Sequence, residues 1–179
     1  VYSTPLNVHE FDGSFRWSTL EQVGAEGNAT TPRRGIGLTQ LRLADLDDDG
    51  RQEIIYGTED GWLYAVDPLE GDEVWQLNVV GSVISLEITD DGVMAANEFG
   101  DVYVISRTGK ILAHRQVSER IRCATPSGDE LALATEGGQL LWLDANCEVV
   151  GSAHVEGGEI RQLFAAGVDV VCVLEDDTI

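Results

Sequence analysis

Residues 57–67, GTEDGWLYAVD, recur as ANEFGDVYVIS at 96–106 and as ATEGGQLLWLD at 134–144, with Gly61, Gly100 and Gly138 spaced 39 and 38 residues apart. A period near 40 residues constrains the fold more than any other feature. One such unit cannot bury its own apolar face and must stack on its neighbours. A fourth, partial copy runs from Val173 to Asp177 and places Asp177 another 39 residues on.

Within each period the apolar residues alternate over short runs divided by Gly, Asp, Asn and Pro, the signal of strands and tight turns. In the unit at 81–118 the pattern predicts strands over 82–89, 93–97, 101–106 and 111–116, with turns at Asp90-Asp91-Gly92, Phe99-Gly100 and Thr108-Gly109. No apolar 3.6-residue periodicity lasts long enough for a helix. Four antiparallel strands per period predict an all-β protein, a β-propeller of four blades or a fragment of a larger one. Its parts are a partial blade at 1–20, an insertion at 21–37, blades at 38–80, 81–118 and 119–157, and a further partial blade at 158–179.

The first part aligns residues 1–4 with a second strand and supplies third and fourth strands at 7–12 and 14–17. The last supplies first and second strands at 159–165 and 168–174. Two arrangements follow: the ends join in a composite blade that closes a four-bladed ring, or the chain is a segment of a larger propeller. Unpaired strand edges attract other strands, so the second arrangement carries an expectation of self-association through open blade edges.

Residues 44–57, ADLDDDGRQEIIYG, run from alternating carboxylates through a turn glycine into an apolar strand. The alternation turns Asp45, Asp47 and Asp49 toward one point. Gly50 reverses the backbone, the Arg51 carbonyl can face the same point, and Glu53 closes it from the far side. Hard oxygen donors of this kind suit Ca²⁺. An EF-hand would need a bidentate Glu at the twelfth position counted from Asp45, where this chain has Tyr56, so that loop type is excluded. The same residues also read as an acidic β-turn with no ion.

The run from Gly61 through Leu63, Tyr64, Ala65, Val66 and Asp67 to Gly71 and Trp75 resembles the repeat of PQQ-like (quinoprotein-type) β-propellers. Residues 45–57 resemble the calcium loop of FG-GAP or VCBS propeller repeats. The second resemblance implies Ca²⁺ between the first two strands of a blade, where Asp45, Asp47, Asp49 and Glu53 fall. The corresponding turns at Asp90-Asp91-Gly92 and Ser127-Gly128-Asp129 lack the donors to cage a metal. The blade tryptophan stands at Trp17 and Trp75, with Leu112 and Val150 expected in its place elsewhere.

Proteins of the PQQ-like type include assembly factors and surface proteins that bind no quinone. The resemblance therefore implies a non-enzymatic binding or scaffold protein with a protein partner and without PQQ. The alternative is a PQQ-dependent dehydrogenase or a piece of one. Those enzymes have adjacent cysteines near the cofactor, whereas Cys123, Cys147 and Cys172 are scattered here.

Charge narrows the partners further. Thirty-two acidic residues against 11 basic ones give a net charge of −21, which repels nucleic acid and anionic membranes. The balance resembles that of proteins from salt-loving organisms, and it also fits an acidic extracellular or cell-surface module. No apolar run reaches membrane-spanning length. The chain opens Val1-Tyr2-Ser3, without an initiator Met or a signal-peptide pattern, as expected of a processed chain or part of a longer one.

The insertion carries Arg33-Arg34, the only basic pair, in a connection between blades; this makes it the candidate partner-contact loop. It also holds the sequon Asn28-Ala29-Thr30, which matters only if the protein is exported. The recurrent Glu59, Glu98, Glu136 and Glu175 read as solvated turn residues, and Tyr64, Tyr103 and Trp142 as packing between blades. His9, His114 and His154 have no metal-ligand spacing, and no nucleophile-elbow, Walker or zinc-protease motif occurs.

Overall fold

A computed structural model describes residues 6–19, 37–166 and 169–175, and every regular element within them is a strand. A two-stranded sheet of β1 (Asn7–His9) and β2 (Phe15–Ser18) comes first. Three four-stranded antiparallel sheets follow, each with its strands in chain order. The first contains β3 (Leu38–Ala44), β4 (Glu53–Thr58), β5 (Trp62–Val66) and β6 (Glu73–Asn78). The second contains β7 (Val83–Thr89), β8 (Gly92–Asn97), β9 (Asp101–Ser106) and β10 (Ile111–Gln116). The third contains β11 (Ile121–Ser127), β12 (Glu130–Thr135), β13 (Gln139–Leu143) and β14 (Val149–His154). A final pair is made by β15 (Glu159–Ala166) and β16 (Asp169–Glu175).

These sheets are propeller blades. Each second strand is sandwiched between neighbouring blades, and β4 and β8 are buried at every position. The fourth strands β10 and β14 carry mostly exposed or half-buried residues. Apolar side chains on facing sheets merge into shared cores: Ile55, Leu63 and Ala65 with Val83, Leu86 and Val93 between the first two complete blades, and Met94, Val102 and Val104 with Ile121, Leu131 and Leu133 between the next two. The β1–β2 pair packs on the first complete blade through Leu6, Val8 and Trp17, which meet Tyr56, Tyr64 and Val66. The β15–β16 pair packs on the last through Ile160 and Leu163.

Of the two arrangements left open by the sequence, the described residues place the end pairs in separate sheets with no shared ladder. The expected second strand at 1–4 lies outside those residues. Tyr103 and Trp142 pack at the blade junctions as read from the repeat.

The repeat glycines have one physical cause. Gly61, Gly100 and Gly138 all take positive φ, at 82°, 99° and 79°. Their carbonyls accept hydrogen bonds from the N–H groups of Val79, Val117 and Val155 at 2.8, 2.8 and 3.0 Å, which tie each strand 2–3 turn to the exit of strand 4. Backbone lies where a side chain would be: a Cβ on Gly100 would sit 2.6 Å from the Glu119 carbonyl oxygen.

Neighbouring blades are also latched at their rims. Trp17 Nε1–H donates to the Pro68 carbonyl and Trp75 Nε1–H to the Arg107 carbonyl, both at 3.0 Å. Each indole lies against a turn glycine, Gly71 or Gly109, where an added Cβ would come within 2.8 or 2.7 Å of it. Replacing Trp75 by Phe removes the donor and is expected to cost about 1 kcal/mol, read as a lower urea midpoint.

The next junction is built differently, and here the sequence expectation is corrected. Bulges at Ala65/Val66, Ile111/Ala113 and Trp142/Leu143 leave Val74, Leu112 and Val150 out of the strand pairing, so the position of Trp75, opposite Ala65, corresponds to Ala113, opposite Val104, and to Gly151, opposite Trp142, rather than to Leu112 and Val150. At this junction Cys147 takes the turn position that Gly71 and Gly109 hold, with φ 61°. Its side chain is buried in the core beside Ala113, and Arg115 donates to its carbonyl at 3.2 Å. Burial pushes the Cys147 thiol up to about 11, so it acts as an apolar filler.

Candidate metal centre

The β3–β4 turn gathers three of the predicted donors. Asp45, Asp47 and Asp49 each bring one carboxylate oxygen within 4.8 Å of the others. Two oxygens on one Ca²⁺ at about 2.3–2.6 Å can stand at most about 5 Å apart, so the spacing fits a single ion. The turn is shaped by its own hydrogen bonds. Asp45 accepts from the Asp49 and Gly50 N–H groups at 3.1 and 2.9 Å, and Asp47 accepts from Asp49 N–H at 3.2 Å. Gly50 takes φ 88° and Asp48 takes φ 61°, the left-handed conformation that Gly and Asp tolerate best.

Glu53 does not join the cluster. It is buried at the start of β4, and its Oε2 accepts the Leu46 N–H at 2.7 Å, pinning the base of the loop. Arg51 brings its guanidinium to Asp49, with Nε 2.8 Å from Oδ2, while its N–H donates to Oδ1 at 2.8 Å. These bonds hold the Asp49 carboxyl below the usual carboxylate range, so it stays charged as pH falls through the range where a free aspartate takes up a proton. An ion at this point would share or displace these donors.

Two interactions here were not legible in the sequence. Arg107, from the β9–β10 turn of the next blade, reaches Asp48 Oδ1 at 2.6 Å, and it also donates to the Asp90 carbonyl at 3.0 Å. The acidic turn is therefore tied to the equivalent turn of its neighbour. The only sequence signal was an isolated arginine two residues before Gly109. The candidate partner residues Arg33 and Arg34, and the sequon at Asn28, lie outside the described residues.

Sheets of this topology around a common stack of first strands, with a carboxylate turn on one rim, define a β-propeller repeat protein. Residues 59–150, 92 of the 179, match the family described as outer membrane protein assembly factor BamB, and the chain belongs to that PQQ-like repeat family. No curated protein sequence matches it.

Among solved structures it is similar to Saccharomyces cerevisiae Sqt1 at 16% identity and a TM-score of 0.70, over 95% of this chain and 51% of that one. The computationally designed Ika4 protein aligns at 20% identity and 0.65, over 88% of this chain and 94% of that one. BBS1N, solved in complex with ARL6DN, aligns at 13% and 0.61, over 74% and 44%. The chain spans less than half the length of the first solved structures that it matches. Identities this low establish the fold alone.

Proposed function

We propose that this protein is a non-enzymatic scaffold that binds another protein, and that Asp45, Asp47 and Asp49 hold one structural Ca²⁺. The observation that carries the scaffold reading is an exposed, strained valine. Val80, on the β6–β7 connection, is 63% exposed and takes φ 54°, a conformation that a β-branched residue rarely adopts. Asn78 Oδ1 accepts its N–H at 3.1 Å, and the buried Asn97 amide donates to its carbonyl at 2.6 Å. Beside it the Phe99 ring, 47% exposed, covers Gly81. Backbone strain kept in place to hold an apolar side chain in solvent marks a contact surface. Family membership supports the same reading, as does BBS1N, a similar structure solved in complex with ARL6DN.

A photo-crosslinking residue at position 80 is expected to join a discrete protein partner, while one at the exposed Gly13 joins none. A quinone absorbance band after incubation with PQQ, with dye-linked alcohol oxidation, would establish the dehydrogenase alternative instead.

For the ion, the Arg51 carbonyl is the further protein donor expected from the sequence, Glu53 being turned to the Leu46 amide, and Ca²⁺ would supply charge neutralisation and stiffness rather than chemistry. Calorimetry is expected to give one site with Kd of about 10⁻⁴ to 10⁻³ M, lost in Asp47→Ala. Equal heats from the two proteins would refute it.

A further inference from the structure

We infer that the cleft between the second and third complete blades binds a peptide segment of a partner protein in which an apolar side chain is flanked by lysine or arginine. The inference rests on the scaffold reading in taking a protein as ligand, but it concerns a different surface from the Val80 patch.

The cleft opens where the turns joining first to second strands emerge, the same rim that carries the acidic loop. It encloses about 390 Å³, within the range of sites that take a few side chains of a ligand. Its floor is the rim of the inter-blade core, Met94 and Val104 from one blade and Leu131 from the other. Leu112 on one wall is 58% exposed and Pro126 lies on the other, so apolar surface faces solvent on both sides.

The mouth is acidic. Asp90 and Asp91 stand on the β7–β8 turn, and Asp129 and Glu130 at the β11–β12 turn. Among the described residues none of these four carboxylates has an ion pair. Glu87, also in the lining, is already satisfied by a two-point contact with Arg42 at 2.8 and 3.3 Å, so it adds no free charge.

The form of this charge selects the ligand. The only carboxylates among the described residues that gather closely enough for a metal ion are Asp45, Asp47 and Asp49. The mouth of the cleft instead spreads its charge around an apolar floor, which suits cationic side chains on either side of a buried apolar one. A second copy of this chain is a poor occupant, since each carries a net charge of −21.

The test uses fluorescence anisotropy with a labelled Gly-Ser peptide containing Arg-Leu-Arg, and with two relatives in which Ser replaces Leu or Glu replaces both Arg. The first is expected to bind, with affinity lowered about tenfold by the Leu-to-Ser change and abolished by the Arg-to-Glu change. The double variant Asp129→Asn, Glu130→Gln is expected to weaken binding about tenfold, while Glu59→Gln with Glu136→Gln, which removes equal charge from the opposite rim, leaves it within about twofold. All four residues are on turns or their edges, and matched melting curves verify the fold.

Equal weakening by both double variants, or indifference to the Leu-to-Ser change, would mean general attraction to an acidic surface and overturn the cleft. So would the absence of binding. Amide shift mapping separates the two readings: peptide-induced shifts confined to the Val80 and Phe99 surface overturn the cleft and leave the scaffold reading standing, whereas a failed crosslink from position 80 bears on the scaffold reading alone.

Discussion

The melting temperature is expected to rise steeply with salt. At about 0.01 M salt the Debye length is about 30 Å and the carboxylates repel one another across the molecule, whereas at about 1 M it is about 3 Å and only close neighbours interact. Ten basic side chains are arginines and the other is Lys110. Several of the arginines are committed to local pairs, such as Arg42 with Glu87 and Arg120 with Glu98, and so cannot offset the rest of the field. Relief of a few kcal/mol of repulsion, at about 2–4 °C per kcal/mol, corresponds to a rise of about 10 °C. Scanning calorimetry across a salt series checks this. A flat midpoint would mean that the acidic bias is not a salt adaptation.

Gly100→Ala is expected to destabilise the fold strongly. The new Cβ would meet the Glu119 carbonyl at 2.6 Å and the Val117 carbonyl at 3.0 Å, both backbone atoms of the connection to the next blade. The left-handed conformation adds about 1–2 kcal/mol and the overpacking about 1–3 kcal/mol, for a loss of about 2–5 kcal/mol. Gly128 provides the control. Its φ is 63°, but an added Cβ there meets nothing within 4 Å, so Gly128→Ala should show the conformational cost alone. Urea unfolding of the two variants beside the parent distinguishes them, and equal losses would mean that close approach is not what fixes the repeat glycine.

The strands were legible because alternation and turn residues are local properties: 101–106 and 111–116 coincide with β9 and β10, and β7 begins one residue later than expected. The gathering of Asp45, Asp47 and Asp49 was legible from their spacing, although it is the turn, with Asp48 at φ 61°, and not an extended alternation that brings their carboxylates together. What escaped depends on register and on contacts between blades. Bulges moved the tryptophan position to Ala113 and Gly151. Glu53, expected to close the ion site, turns to the Leu46 amide. The bond from Arg107 to Asp48 spans 59 residues, and no local pattern announces it. The cleft has walls from two repeats and exists only once they are stacked.

The unlike junctions have a consequence for how such a chain can be rearranged. A rim tryptophan needs a glycine turn on the blade that follows it, and the Cys147 turn needs a small residue on the blade before it. A module cut at blade boundaries separates these halves, so placing the third complete blade directly after the first would drive the Trp75 indole into the Cys147 side chain. The interchangeable piece in this protein is the joint: the outer strand of one blade together with the turn that receives it.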